Sequence, residues 1–125
     1  MKYLYRLSSV SDIGDILKDS STPLGLASNI IPAVCDDKEN VICFCFLYKF
    51  EGCNVGALAF LHCNKKFSPF IRGKAMYHLI PFAEDIARSI DISVLINEVP
   101  HNLLRLATIN GYSHNHISMQ TWKTL

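Results

Sequence analysis

The chain has 125 residues, of which 50% are hydrophobic and 18% are charged, which fits one globular domain over residues 1–125 and argues against a disordered chain. The formal net charge is +1 and the longest basic run is Lys65-Lys66, so we expect no nucleic-acid partner, because such proteins usually present a basic stripe. The longest apolar run, residues 41–48, is too short to cross a bilayer, and residues 1–12 lack the apolar core of a secretory signal, so we expect no membrane partner.

Five cysteines are spread over the chain without a Cys-x-x-Cys pair: Cys35, Cys43, Cys45, Cys53 and Cys63. Their odd number and their alternation within an apolar pattern indicate free thiols in a reducing compartment, which predicts a cytoplasmic protein. His114 and His116 would lie on one face of a strand, where they either bridge a metal or form an exposed pair. The exposed pair is favoured, so no metal site is predicted.

The first third of the chain predicts a strand, a helix and an ambiguous segment. Residues 2–7 alternate apolar and polar side chains, as a half-buried strand does. Residues 11–20 predict a helix with Ser11 as its N-cap. Residues 23–35 are open between a second helix and a strand, since Pro32 argues against a long helix.

The middle of the chain predicts a β-hairpin followed by an amphipathic helix. Residues 41–50 and 54–62 are rich in β-formers and flank a short turn; both strands are apolar on both faces, which indicates a central position in a covered sheet. Apolar residues then recur at helical spacing from Ala75 to Ile90. Pro81 cannot donate to the Tyr77 carbonyl, so we expect this helix to be bent or interrupted there.

The last third of the chain predicts a strand, a helix and a closing strand. Residues 93–97 form a short buried strand, residues 101–110 a helix with Gly111 just after its end, and residues 112–122 a final strand. The order of elements is β-α-(α or β)-β-β-α-β-α-β, which is typical of a mixed α/β domain with helices packed on a sheet.

The stretch SPFIRGKA, residues 68–75, is the strongest candidate for a ligand site. Unpaired amides and the helix dipole make the start of a helix an anion site. Gly73 and Ala75 would allow a diphosphate to approach the backbone, and Arg72 and Lys74 add positive charge. The stretch either holds a phosphate in this way or is a polar loop that enters a core helix.

With its elements in this order, the chain resembles the GNAT superfamily of acyl-CoA-dependent N-acyltransferases. Two stretches carry the resemblance: FSPFIRGKA, residues 67–75, is similar to the family's strand-loop-helix pattern, and HNLLRLATINGY, residues 101–112, to its amphipathic helix ending in Gly-Phe. The resemblance implies a mixed central sheet flanked by helices, a cleft beside residues 67–75, and acetyl-CoA as co-substrate. The small size also resembles acetyltransferase-like proteins of tailed bacteriophages, which would place the chain in a host cytoplasm.

The same resemblance assigns the residues that would bind acetyl-CoA. Phe67 falls at the strand edge that binds the pantetheine arm and supplies a backbone N–H to the oxyanion. Arg72 begins the pyrophosphate loop, and the following residues complete the cofactor-binding set: Gly73, Lys74 and Ala75.

Three departures from the family pattern bear on activity. Tyr77 replaces the second small residue of the pyrophosphate loop and would crowd the diphosphate. Ala107 occupies the position where many relatives carry a tyrosine that protonates the leaving thiolate. The short connection after the hairpin leaves no room for the family's extra strand, unless residues 27–35 form it.

The catalytic residues are not fixed by the sequence. His62 and Glu51 are the candidates for the base that deprotonates an amine. Histidine suits the role because it titrates near neutrality, but a lone histidine at a strand end is more often a surface or capping residue, so His62 is a weak candidate. The implied reaction is acetyl transfer to an amine acceptor; the alternative is a catalytically degenerate GNAT fold acting as an interaction or particle-assembly protein. The apolar content leaves a homodimer or a protein partner open.

Overall fold

The structure is a computed structural model that describes residues 2–18, 22, 27–98, 104–114 and 120–125. Its strands are β1 (Leu4–Leu7), β2 (Pro32–Cys35), β3 (Val41–Lys49), β4 (Val55–Cys63), β5 (Val94–Glu98), β6 (Ser113–His114) and β7 (Gln120–Thr124). Its helices are α1 (Val10–Leu17), α2 (Pro69–Ser89) and α3 (Leu104–Ile109). Within these residues the strands form one mixed sheet in the order β1-β2-β3-β4-β5-β7-β6, in which β4 and β5 are parallel. The predicted mixed α/β class is confirmed.

The sheet is covered on both faces, as the apolar pattern of β3 predicts. On one face the fully buried rings of Phe44 and Phe46 belong to the same cluster as the apolar residues of α1. On the other face Cys43, Cys45 and Leu47 belong to the cluster that contains the buried residues of α2. Because side chains alternate along a strand, β3 contributes to both cores and fixes the positions of the two helices.

Helix α1 starts two residues earlier than predicted, and the ambiguous segment ends as a strand. The N-cap of α1 is Ser9 and not Ser11, because the Asp12 carboxylate accepts a hydrogen bond from the Ser9 backbone N–H at 3.1 Å and closes a capping box. Of the segment 23–35, residues 23–26 lie outside the described part of the chain, and the end is strand β2. Pro32 is tolerated there because it is the first residue of the strand.

Helix α2 begins earlier than predicted and is not interrupted. Its N-cap is Ser68, whose Oγ accepts from the Ile71 N–H at 3.3 Å, and Pro69 occupies the first helical position, for which its fixed φ is suited. The predicted interruption at Pro81 is wrong: the helix continues through it. Pro81 is exposed, so water can satisfy the Tyr77 carbonyl that lacks an N–H donor.

The end of the chain carries the predicted helix terminus. Gly111 has φ +86° and its N–H donates to Thr108 O, while the Tyr112 N–H donates to Ala107 O; this is a Schellman motif, which confirms Gly111 as the residue after the helix end. The predicted single closing strand is wrong, because β6 and β7 are separate antiparallel strands. Residues 115–119, which include His116, and the predicted helix start at residues 101–103 lie outside the described residues. No described helix is both long and apolar enough to span a bilayer.

Candidate active site

The end of β4 has an open edge next to the parallel strand. Residue pairs between β4 and β5 run from Val55↔Val94 to Leu58↔Asn97, whereas β4 continues to Cys63. Among the described residues no strand pairs with this side of residues 59–63. The sheet therefore opens where β4 leads into the loop before α2.

A β-bulge lies at the start of this open edge. Phe60 has φ +56°, and the register with β3 shifts by one residue between Phe44 and Phe46. The Asn64 N–H donates to Ile42 O at 2.7 Å, which makes Phe44↔His62 a hydrogen-bonded pair. The backbone groups of His62 thus point to β3, and those of Leu61 and Cys63 point to the open edge.

The N-terminus of α2 follows, with fewer free amides than a phosphate loop would offer. Pro69 has no N–H, the Ile71 N–H is taken by Ser68 Oγ, and the Arg72 N–H donates to Ser68 O at 3.0 Å. Among the amides of residues 69–72, the Phe70 N–H is the one left without a hydrogen-bond partner. An anion at this helix end would bind one amide rather than a cradle of several.

Positive charge is nevertheless concentrated around this helix start. Lys65 and Lys66 are exposed in the loop, and the Lys74 ammonium lies 4.8 Å from the centre of the exposed Phe70 ring. The Arg72 side chain is half-buried, and within the described structure its Nε is buried without a hydrogen-bond partner. This orphaned donor is a group that a bound anion would satisfy.

The residues assigned by the FSPFIRGKA pattern are only partly brought together. Phe67 lies in the loop after β4 and not on a strand edge, since its N–H donates to Asn64 O at 3.1 Å. Arg72, Gly73 and Lys74 lie inside the first turns of α2 and do not form a loop. Ala75 is 0% exposed in the core under the sheet, so packing explains its small side chain.

Tyr77 is not placed to crowd a ligand at the helix start. It lies about two turns after Pro69 and is 53% exposed. Gly73 faces open space, since a Cβ at this position would meet no atom within 4 Å beyond its own helix backbone. The crowding expected from the sequence is therefore not seen, and the helical backbone is what departs from a phosphate loop.

His62 lies on the other face of the β4 end, the face that α1 covers. Its Nε2 is 3.1 Å from the Thr22 hydroxyl, and its ring packs on Phe44 at 5.5 Å between centroids. Burial lowers the pKa of His62, which favours the neutral imidazole that can accept a proton. The ring lines a shallow pocket with Asp15, Ile16, Cys63, Asn64, Lys65 and Lys66.

Proton transfer at this site is not available from Glu51, the other candidate base, or from position 107, where the family's tyrosine is absent. Glu51 is in the hairpin turn, at the opposite end of β4 from His62. Ala107 is buried in α3 and has no titratable group. The phenol of Tyr112 lies nearby in the chain, but burial and the charge of Glu84 raise its pKa, so it is a poor acid there.

The sequence did not indicate the contact between Thr22 and His62 or the open-edge amides of Leu61 and Cys63. The sequence carries no signal for the Thr22–His62 contact, because these residues are forty positions apart and meet only through the packing of α1 on the sheet. The edge amides depend on the bulge, for which the sequence offers no marker such as a glycine at residue 60.

No protein-family model and no curated protein sequence matches the chain. Among solved structures, the chain is similar to the GNAT family N-acetyltransferase YhbS from Escherichia coli in complex with CoA, with a TM-score of 0.72 and 12% identity over 99% of this chain and 82% of that one. It is similar to the PaiA N-acetyltransferase from Thermoplasma acidophilum in complex with coenzyme A, with a TM-score of 0.71 and 16% identity over 100% of both chains. A GNAT family acetyltransferase from Listeria monocytogenes gives a TM-score of 0.65 and 14% identity over 98% of this chain and 95% of that one. The fold of this chain is the GNAT fold.

Proposed function

We propose that the protein is an N-acyltransferase that moves an acetyl group from acetyl-CoA to an amine. The observation that carries the proposal is the open, bulged edge of β4, which offers backbone amides on one side and the neutral His62 imidazole on the adjacent face. The E. coli and T. acidophilum structures with this fold contain CoA, which supports CoA as the donor.

The β4 edge fits the pantetheine arm of acetyl-CoA, whereas the start of α2 offers fewer amides to the diphosphate than a phosphate loop would. The amides and carbonyls of Leu61 and Cys63 can pair with the amide-containing pantetheine arm as an added strand would. At the diphosphate end the single Phe70 amide and the orphaned Arg72 Nε remain, together with the charge of Lys74. We therefore expect CoA to bind through the β4 edge and through charge, and weakly.

The chemistry follows from these groups. Bound acetyl-CoA supplies the thioester carbonyl that the amine attacks. An open-edge N–H near Leu61 donates to the carbonyl oxygen as negative charge develops on it. His62 accepts the proton that the amine loses, directly or through a water molecule. Ala107 has no side chain that can protonate the departing thiolate, so the proton must come from water or from another group, and turnover should be slow.

The amine acceptor would enter on the α1 side of the sheet, where His62 lines the pocket described above. Asp15 borders that pocket and can attract an ammonium group, while Lys65 and Lys66 give the lining a net positive charge. We propose a small primary amine or a protein lysine as the acceptor. The five free thiols support a reducing cytoplasm as the location.

The test combines a binding measurement with an activity measurement. Calorimetry with CoA and acetyl-CoA measures affinity, and release of the CoA thiol measures transfer to a panel of polyamines and lysine peptides. His62→Gln should lower kcat/KM by about 10²–10⁴-fold and leave CoA affinity unchanged. His78→Gln is the matched control, because His78 is exposed on α2 and bonds Tyr5 at 2.9 Å.

Two results would overturn the proposal. Absence of CoA binding at millimolar concentration would favour the alternative, a degenerate fold that acts as an interaction module or forms a homodimer. That alternative draws support from the helical conformation of residues 72–74 and from Ala107. Equal activity of the His62→Gln and His78→Gln variants would remove His62 from the mechanism.

A further inference from the structure

Cys43 and Cys63 face each other across the β3–β4 hairpin. They are Cα partners in the antiparallel register. The hydrogen bond from the Asn64 N–H to Ile42 O lies one residue away, and hydrogen-bonded pairs alternate with non-hydrogen-bonded ones, so Cys43 and Cys63 form a non-hydrogen-bonded pair. In such pairs the Cα atoms are about 4.5 Å apart and the side chains are close, which lies within the Cα spacing of disulfides, about 4.4–6.8 Å. Both thiols are free in the structure.

The pair is asymmetric in access and in charge. Cys43 is fully buried, whereas Cys63 is half-buried and lines the pocket beside His62. A hydrogen bond from Cys43 holds the pKa of Cys63 below its ordinary value, and the positive charge of Arg72 lowers it further. Its hydrogen bond to Cys63 and burial raise the pKa of Cys43. Cys63 is therefore the more readily deprotonated and more accessible thiol, and Cys43 is a protected thiol next to it.

We propose that Cys43 and Cys63 are a dithiol site that a peroxide oxidises to a reversible intramolecular disulfide. The Cys63 thiolate attacks one peroxide oxygen, the O–O bond breaks, and the leaving hydroxide takes a proton to become water. The resulting Cys63 sulfenic acid is attacked by the Cys43 sulfur; the S–S bond forms, the S–O bond breaks, and a second water leaves with the Cys43 proton. Two thiols give up two electrons and two protons, and one hydrogen peroxide becomes two waters.

Oxidation would act on the structure at a defined place. The disulfide would tie the end of β4 to β3, immediately before the loop that leads into α2. It would also remove a thiol whose ionised form the charge of Arg72 stabilises, and so change the electrostatics at the helix start. Neither sulfur is assigned a step in acetyl transfer, but the backbone of Cys63 belongs to the β4 edge that we propose binds CoA, so the disulfide would form next to that edge.

The experiment uses the full chain and hydrogen peroxide at one to ten equivalents, followed by alkylation and peptide mass mapping. The Cys53→Ala background removes the exposed hairpin thiol, and the wild type is run beside it. Cys63→Ala and Cys43→Ala should each abolish the disulfide, and Cys43→Ala should instead leave a sulfenic acid at Cys63 that dimedone traps. Cys45→Ala is the matched control, because Cys45 is a buried neighbour on β3 whose pKa is raised to about 12 by burial.

The expected result is loss of two thiols per molecule, a Cys43–Cys63 cross-link, and recovery of both thiols with dithiothreitol. The rate of Cys63 oxidation should exceed that of Cys45 by at least about tenfold, since the thiolate is the reacting form. A cross-link that joins Cys45 to Cys63 would overturn the proposal, as would direct over-oxidation of Cys63 in the wild type. Circular dichroism of each variant before treatment shows that the comparison is made on folded protein.

Discussion

Glu84 is a buried carboxylate in the apolar face of α2, and Lys123 of β7 is its counter-charge. The two side chains are 6% and 24% exposed, and Lys123 Nζ lies 2.9 Å from Glu84 Oε2. The ammonium donates to Asn110 O at 2.7 Å and lies 5.6 Å from the centre of the Tyr112 ring. One lysine therefore joins α2, the end of α3 and β7, and Glu84 is held by its charge.

We predict that Lys123→Met lowers the free energy of unfolding by about 3 kcal/mol. Removing one partner of a buried ion pair costs about 3–5 kcal/mol, because the remaining charge stays buried and unpaired. The lower end applies here, since the partial exposure of Lys123 leaves a path by which water can reach Glu84. For a chain of 125 residues this corresponds to a fall in Tm of about 10 °C.

Urea unfolding followed by circular dichroism measures this change, provided that the slope with urea is the same in all variants. Lys49→Met is the matched control: its exposed ammonium donates to Ile90 O at 2.7 Å, and its loss should cost no more than about 1 kcal/mol. In the double variant Glu84→Gln/Lys123→Met the buried charge is absent, so the two changes should cost less together than their sum. If Lys123→Met costs no more than Lys49→Met, the ion pair does not stabilise the fold as argued.

The remaining predictions concern backbone and pH. Gly73→Ala should raise the free energy of unfolding by about 0.5–1 kcal/mol, because Gly73 is helical and faces open space. Gly111→Ala should lower it by about 1 kcal/mol, because Gly111 has φ +86°. If Gly73→Ala instead lowers the free energy of unfolding, residue 73 is in a turn and not in the helix. Pro81→Ala should raise the free energy of unfolding, measured with urea, by up to about 3 kcal/mol, because it restores an N–H donor to the Tyr77 carbonyl in the uninterrupted helix. An unchanged free energy of unfolding would indicate that the helix has already relaxed by a kink at the proline. The folded-state pKa of His62 lies below its unfolded value of 6.5. His62 therefore contributes stability that is present above pH 6.5 and is lost as the pH falls through its lower folded pKa. Tm measured from pH 8 to 5 should fall in this way, and the His62→Gln variant should lack this part of the fall.

The sequence predicted the sheet well where one local signal was decisive. The density of β-formers in residues 41–50 and 54–62 identified the hairpin, and the glycine after α3 identified the helix end. Residues 23–35 stayed open because the proline that argued against a helix is equally compatible with the start of a strand. Pairing with β1 and β3 decides in favour of the strand, and such pairing is a tertiary property.

The predicted start of α2 is wrong because two signals in one stretch disagree. Ser68-Pro69 is a helix-start signal, with a side-chain cap followed by a residue of fixed φ. The Arg-Gly-Lys tripeptide resembles a phosphate loop, which would place the start about one turn later. In the structure the capping signal determines the start, and the tripeptide adopts helix with its amides bonded within it.

The sequence named His62 as a candidate base, but the direction in which the side chains at the end of β4 point could not be predicted, because it depends on one extra residue. In the register set by the turn, Leu47 pairs with Leu58, and continuing it would place Cys43 opposite His62. The bulge at Phe60 shifts the pairing by one, so that Cys43 meets Cys63 and the imidazole shares a face with Phe44. A one-residue change of register moves every later side chain to the other face.

In the function that we propose, donor binding would rest on two parts of the structure with different physical origins. The edge amides of Leu61 and Cys63 are directed by strand pairing and by the bulge, and in this proposal they would bind the thioester and its amide-containing arm. The diphosphate end is governed by where α2 starts, and an early start converts loop amides into helix bonds while the side-chain charge of Arg72 remains. Because amides at fixed positions give directional binding whereas charges on flexible side chains give screened attraction, this arrangement favours loose capture of the anionic end and closer positioning of the reacting end.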